Sequence, residues 1–398
     1  MSVTIELLDL VTRWIHVIAG IMWVGNSLLF NWLDRSLTRG GPDAQTSKPV
    51  GTIWLLHSGG FYYVEKTLLE GDRLPAPIHW FKWQAYTTWL SGVALLIVVY
   101  YSGARALMNG SADLSHQQAT IIGIVAIVGG WALYEIMQRF VAPRAPSVAA
   151  ALWIVAFVVI AICLTRVLDG RAAFLHVGAL LGTIMAGNVF LTIVPSQREL
   201  VASVESGSAG LSAVSARAKR VSIHNNYFTF PVIALMVSNH FPSMYGSSYN
   251  WLLLLVIVAG GVAVRHVLNI RWTFASWQPA LGATIAATIV LLWTVMNAGA
   301  ANDPSTASLQ GPVSFTDVRH VVDRRCAVCH SQRPTDLTFG PAPGGVAFDT
   351  PLQIESRAAR IRERAFVTRT MPPANKTGIT DSERALLGAW AASEGEKR

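Results

Sequence analysis

Val148-Ala149-Ala150-Ala151-Leu152-Trp153-Ile154-Val155-Ala156-Phe157-Val158-Val159-Ile160-Ala161-Ile162-Cys163-Leu164 contains no charged, amide or hydroxyl side chain. Extended to Leu168, it has the ~20 residues a helix needs to cross the hydrocarbon core of a bilayer. Runs of the same kind lie at roughly 11–33, 84–104, 119–140, 173–195, 224–241, 250–270 and 278–299. Together they predict an all-α, polytopic membrane bundle of about eight transmembrane helices. A hydrophobic content of 52% and a mean hydropathy of +0.41 are too apolar for a soluble chain of 398 residues. Thirteen of the 14 tryptophans precede residue 300. Trp32, Trp80, Trp83, Trp251, Trp272 and Trp277 sit near span ends, where aromatic belts form.

Composition changes after the last run. Ala298-Gly299-Ala300-Ala301-Asn302-Asp303-Pro304 reads as the start of a linker. The expected division is a membrane domain over 1–300, a linker over 301–313 and a polar domain over 314–398. The polar domain contains Cys326-Ala327-Val328-Cys329-His330. C-x-x-C-H is the attachment sequence of c-type haem: two thiols bond the porphyrin and the adjacent imidazole ligates the iron. The competing reading, structural zinc, wants four protein ligands. The chain has three cysteines, and Cys163 lies in the apolar run quoted above. Met371, in Thr370-Met371-Pro372-Pro373, is the methionine of the polar C-terminal region and the candidate sixth ligand. His320 competes with it, and Met371 as ordinary core filling is the bland alternative. His/Met ligation raises the iron potential and suits accepting electrons from a mild reductant. A small class I cytochrome c fold follows, with helices over Phe315–Arg325, Leu352–Ala365 and Asp381–Ala392, the last capped by Asp381.

Orientation has two supports. Haem is attached to this motif outside the cytoplasmic membrane, so an even number of spans puts both the N-terminus and the cytochrome domain in the periplasm of a bacterial inner membrane. The predicted inner loops carry 13 basic residues, from Arg35 to Arg271; the outer loops carry Arg105, Arg166 and Arg171. That is the positive-inside bias. The net charge of +8 is therefore largely a topology signal. No basic patch interleaves with aromatics, so nucleic acid is not an expected partner; the lipid bilayer is. The first apolar segment follows Glu6 and Asp9 rather than a basic run and reads as a retained anchor, not a cleaved signal.

Ionisable groups inside spans are functional candidates. His16 and His176 belong to the outer half, and His224 and His266 to the inner half. Paired imidazoles on facing helices can hold haem b. A substrate site and plain structural hydrogen bonding are the alternatives. Gly20-Ile21-Met22-Trp23-Val24-Gly25-Asn26 echoes Gly182-Thr183-Ile184-Met185-Ala186-Gly187-Asn188, consistent with a four-plus-four duplication. Asn26 and Asn188 are candidates for a site or simple helix glue. The long inner loop, 34–83, holds His57, Glu65 and His79 among aromatics. It suits a planar anionic ring or, equally, an amphipathic helix at the membrane surface.

The stretch Trp14–Asn26, the segment Gly59-Gly60-Phe61-Tyr62 and the C-x-x-C-H motif together resemble the membrane-bound urate hydroxylase family, PuuD-type urate oxidases with a C-terminal cytochrome c domain. The His-x6-Trp-x-Gly pattern of the first span is also similar to copper-resistance-type membrane domains. The resemblance implies oxidation and hydroxylation of urate to 5-hydroxyisourate in purine catabolism. Electrons would pass to the chain's own haem c rather than to dioxygen, then to a soluble cytochrome c or a terminal oxidase. It assigns Cys326, Cys329, His330 and Met371 to haem c and its iron. It assigns no catalytic residue; the residues offer His16, His57, Glu65, His79 and His176. Two other functions fit the same features. One is a respiratory cytochrome c subunit linked to quinol or another donor. The other is a transporter or sensor with a tethered cytochrome.

Overall fold

The computed structural model describes residues 3–37, 49–67, 74–102, 107, 114–206, 212–301, 313–336, 341–367, 369–372 and 375–396. Residues 302–312 of the linker expected over 301–313, and the loop residues Arg39, Lys48, Arg73 and Arg105, lie outside these. The chain is mostly helical. Seven segments are long and apolar enough to span a membrane: Leu7–Ser36, Trp83–Tyr101, His116–Val141, Pro146–Val167, Gly170–Ser206, Asn250–Ile270 and Trp277–Ala298. They correspond to α1 (Val3–Ser36), α2 (Trp83–Leu96), α3 (His116–Ile136), α4 (Pro146–Val167), α5 (Gly170–Asn188) with α6 (Val194–Ser206), α9 (Asn250–Ile270) and α10 (Trp277–Ala301). The eighth expected span is α7 (Ser212–Ser238), a 27-residue helix followed by the single turn α8 (Pro242–Tyr245). Its His224, Asn225, Asn226 and Thr229 lower its hydropathy, which is why it stands apart from the other seven.

One expectation is overturned. The long loop after α1 is neither irregular nor helical over 49–67, so the chain is not all-α. Strands β1 (Pro49–His57) and β2 (Gly60–Thr67) pair antiparallel, with Trp54 opposite Tyr63 and Leu56 opposite Phe61. Ser58 and Gly59 both take positive φ at the turn, 51° and 78°, the signature of a tight two-residue hairpin connection. β-branched and aromatic residues fill the strands, which explains the preference for sheet. Lys66 Nζ donates to Asp34 Oδ1 at 2.6 Å and ties the hairpin to the end of α1.

α5 is the hub of the bundle. In its spanning window 67% of residues are buried, against 11% for α1 and none for α10. Phe174, Val177, Leu180, Leu181 and Ile184 belong to the core that α5 shares with α3, α4 and α7. Peripheral side chains such as Trp14, Ile21, Val125, Val155 and Trp293 are exposed and form the surface that lipid would cover. Turns with i→i+5 bonding end α2 (Ile97–Tyr101) and α3 (Met137–Val141) and follow α5 (Val189–Ile193). The first of these widens the helix so that consecutive Tyr100 and Tyr101 both reach the ring of His176, with centroids 5.8 and 5.7 Å away.

The C-terminal unit packs α11 (Phe315–Arg325) across α14 (Asp381–Glu396), with Phe315 and Trp390 ring centroids 5.9 Å apart. Val318, Val322, Ile354 and Leu387 are fully buried between them. The expected middle helix is broken into α12 (Pro351–Glu355), α13 (Ala358–Ile361) and a wide turn over Arg362–Val367. The cap of α14 is Thr380, one residue before the expected Asp381. Its hydroxyl accepts from Glu383 N–H at 3.2 Å, while Glu383 Oε2 accepts from Thr380 N–H at 2.8 Å. The reciprocal pair satisfies two donors at once, which a lone aspartate does not.

A Cβ at Gly123 would lie 2.6 Å from His176 Nε2. Gly123→Ala therefore forces α3 away from α5 and should lower stability by about 1–3 kcal/mol, read as a lower thermal midpoint of the solubilised protein.

Candidate active site

Near the hairpin end of the bundle, α1, α5, α6, α7 and the segment before α2 enclose a cavity of about 540 Å³. That is within the usual ~300–1,000 Å³ of small-molecule sites. α1 contributes Trp23, Asn26, Ser27 and Phe30. The segment entering α2 contributes Ile78, His79, Trp80, Phe81 and Gln84. Met185, Val189 and Ile193 come from α5 and the wide turn after it, Gln197, Leu200 and Val201 from α6, and Ser222, Asn225 and Thr229 from α7. Aromatic walls and amide or hydroxyl groups thus face one space. Phe81 packs edge-on against both Phe30, at 5.0 Å between centroids, and His79, at 4.6 Å. Gln84 Oε1 is buried without a hydrogen-bond partner. A buried unmatched acceptor facing a cavity is suited to a ligand N–H.

A polar network braces the cavity from behind. Asn225 Nδ2 donates to the Met185 carbonyl at 3.0 Å, and Asn188 Nδ2 donates to Asn225 Oδ1 at 2.8 Å. The same amide lies 3.2 Å from Tyr134 Oη, whose hydroxyl is 2.7 Å from His224 Nδ1. Asn188, Tyr134 and His224 thus form one chain of hydrogen bonds that links α5, α3 and α7. Arg217 Nη2 pairs with Glu135 Oε1 at 2.7 Å at the same end.

Of the five catalytic candidates, His79 alone lines the cavity. His57 and Glu65 are exposed on the hairpin, where Glu65 Oε1 accepts from Thr67 Oγ1 at 3.1 Å. His16 faces α2, its Nδ1 2.9 Å from the Thr88 carbonyl and 3.1 Å from Ser91 Oγ. His176 uses both ring nitrogens, Nδ1 with the Ala172 carbonyl at 2.7 Å and Nε2 with Tyr101 Oη at 2.9 Å. His266 Nδ1 meets Tyr227 Oη at 2.8 Å. The four histidines of the spans are thus distributed among separate partners, with both ring nitrogens of His176 engaged. Asn26, one of the two amides in the repeated stretch, reaches the cavity; Asn188 belongs to the bracing network. Gln84, Gln197, Asn225 and Thr229 escaped the sequence reading, although amides inside apolar runs are a usable signal.

In the C-terminal unit, α11 ends where the C-x-x-C-H motif begins. His330 N–H donates to the Cys326 carbonyl at 2.8 Å and Cys329 N–H to the same oxygen at 3.1 Å, so the motif coils into one tight turn. His330 Nδ1 is 3.0 Å from the Val346 carbonyl, which leaves Nε2 available. Ser331 Oγ and Gln332 N–H both donate to Asp349, holding that carboxyl below the usual carboxylate range and pinning the turn that follows the motif. Burial pushes the Cys326 thiol up to about 12. Met371 is held through its backbone: its N–H donates to the Arg364 carbonyl at 2.9 Å, and its carbonyl accepts from Arg384 Nη1 at 2.8 Å. His320 is exposed on α11. Among the described residues, no three His, Cys, Asp or Glu side chains converge as a metal cage.

Tyr134→Phe keeps the ring against Trp153 but leaves His224 Nδ1 and Asn188 Nδ2 without the hydroxyl that each meets. The expected loss is about 1–3 kcal/mol, measured as a lower unfolding midpoint with the helical content unchanged.

No curated protein and no solved structure matches the chain. The family model described as urate oxidase N-terminal matches residues 2–297. That match spans the whole bundle, including every element lining the cavity, and stops before the C-terminal unit. The chain belongs to the urate oxidase N-terminal family.

Proposed function

We propose that the chain is a membrane-bound urate oxidoreductase that binds urate in the cavity beside Gln84. The observation that carries this reading is the cavity's lining of amides and aromatic rings within the family-matched bundle. Urate is a planar anion with N–H donors and carbonyl acceptors around its rim. Gln84, Asn26, Asn225 and Gln197 offer complementary edges, and Trp23, Phe30, Trp80 and Phe81 offer faces. The cavity lies at the end of the bundle where residues 78–81 lead into α2, and substrate enters from that side. By the charge asymmetry of the loops, that side is the cytoplasm.

The reaction balances as urate monoanion plus water giving neutral 5-hydroxyisourate, one proton and two electrons. His79, the titratable side chain among the lining residues, takes the proton from the attacking water.

The C-terminal residues fit a covalent c-type haem. Cys326 and Cys329 would bond it, and His330, through its free Nε2, and Met371 would hold its iron, with the Val346 carbonyl fixing the His330 tautomer. When bound, haem c supplies a one-electron acceptor, discharged twice per turnover to a soluble cytochrome c or a terminal oxidase. No step is assigned to haem b.

Distance is not prohibitive. The cavity reaches the middle of the bundle at Trp23, Met185 and Thr229, leaving about half of a ~30 Å hydrocarbon layer to cross.

Gln84→Leu should reduce kcat/KM for urate by roughly tenfold to a hundredfold, the cost of one lost buried hydrogen bond. His79→Ala should act mainly on kcat, by roughly 10²–10⁴-fold. Cys326→Ala should abolish covalent haem while leaving urate binding intact. Unchanged urate kinetics in both cavity variants would remove the cavity from the account.

A further inference from the structure

Arg265 is a buried cation without a counter-charge. It lies on α9 with 5% of its surface exposed. Arg13 pairs with Asp9 and Arg217 with Glu135, but no carboxylate among the described residues pairs with Arg265. Its Nε donates to Asn226 Oδ1 at 2.9 Å, and Asn269 Nδ2 donates to the same oxygen at 2.8 Å. The guanidinium carbon sits 5.4 Å from the centroid of the Phe230 ring. These contacts orient the group without neutralising it. A charge held in a low-dielectric interior is costly unless it is paired.

The site is separate from the cavity. Asn225 and Asn226 are consecutive on α7 and so point in different directions. Asn225 faces α5 and the cavity, while Asn226 faces α9. Arg265 does not line the cavity.

The open part of Arg265 is its fork. The two Nη groups make no hydrogen bond to the described residues, and neither is sealed from the surface. A planar fork presented this way matches the paired oxygens of a phosphate. Depth narrows the source. Arg265 is five residues from the end of α9 at Ile270, about 7.5 Å along the axis. Arg271 lies over the Trp272 ring at 4.8 Å just beyond, an arrangement typical of the headgroup boundary. Asn269 Oδ1 is buried without a partner beside the fork, so a headgroup that carries its own hydroxyl or ammonium donor is preferred.

We propose that Arg265 holds the phosphate of a phospholipid headgroup at the hairpin end of the α7–α9 seam. The lipid supplies the missing negative charge and clamps the two helices from outside. The phosphate chemistry is shared with free inorganic phosphate, and the test separates the two. The full-length protein, purified in mild detergent and washed extensively, is examined by native mass spectrometry. The wild type should retain one phosphatidylglycerol per chain through washing, and Arg265→Gln should lose it. Arg265→Lys, which keeps the charge without the fork, should release it at lower collision energy. A wild type with no persistent phospholipid overturns the proposal whether or not the variants fold. So does an Arg265→Gln protein that retains the same adduct. Thermal stabilisation of wild type, but not Arg265→Gln, by inorganic phosphate or urate without lipid would assign the site to a soluble anion and overturn the lipid.

Discussion

Hydrocarbon offers no partner to an amide, so the hydrogen bond from Asn188 to Asn225 dictates how α5 meets α7. Its length, 2.8 Å, leaves no freedom for either helix to slide by a turn without stranding two amides. Tyr134 and His224 extend the constraint to α3, and the Met185 carbonyl closes it on α5. With three helices held in register, the residues one face over, Met185, Val189 and Thr229, are set as the floor of the cavity. The wide turn after α5 then bends the chain into α6, which forms the remaining wall. The polar network is thus both the brace of the bundle and the back of the candidate site.

Such an arrangement explains why α7 is less apolar than its neighbours. Its polar residues serve two faces: Asn225 and Thr229 toward the cavity, Asn226 toward Arg265. The first span, α1, is exposed along most of its length yet contributes Trp23, Asn26 and Phe30 to the site. A thin wall of that kind, crossed by the hairpin at its end, places the cavity mouth beside the membrane surface rather than inside the bundle.

Much of the fold was legible in the sequence because the bilayer imposes length and polarity on every helix. The apolar runs at 119–140, 148–168 and 250–270 match α3, α4 and α9 closely, and Phe315–Arg325 coincides with α11. The hairpin was not legible: in the segment 49–67 the alternation of Trp54, Leu56, Phe61 and Tyr63 was overlooked among residues that looked like a site. Histidines stand out because charge in a membrane is rare, yet His16 and His176 lie away from the cavity, each bonded to a neighbouring helix or its own backbone. The amides that line the cavity were harder to see. An asparagine in a span looks the same in sequence whether it bridges helices, as Asn188 does, or faces a cavity, as Asn26 does; tertiary packing alone separates the two roles.

The central claim is that urate oxidation in the bundle delivers electrons to the C-terminal unit without dioxygen. Anaerobic mixing of the oxidised, haem-loaded protein with urate tests it most directly, with the haem c absorption bands as the readout. The account predicts reduction of the haem by urate alone, slowed when Gln84 is replaced by leucine. A haem that dithionite reduces but urate leaves oxidised would contradict it.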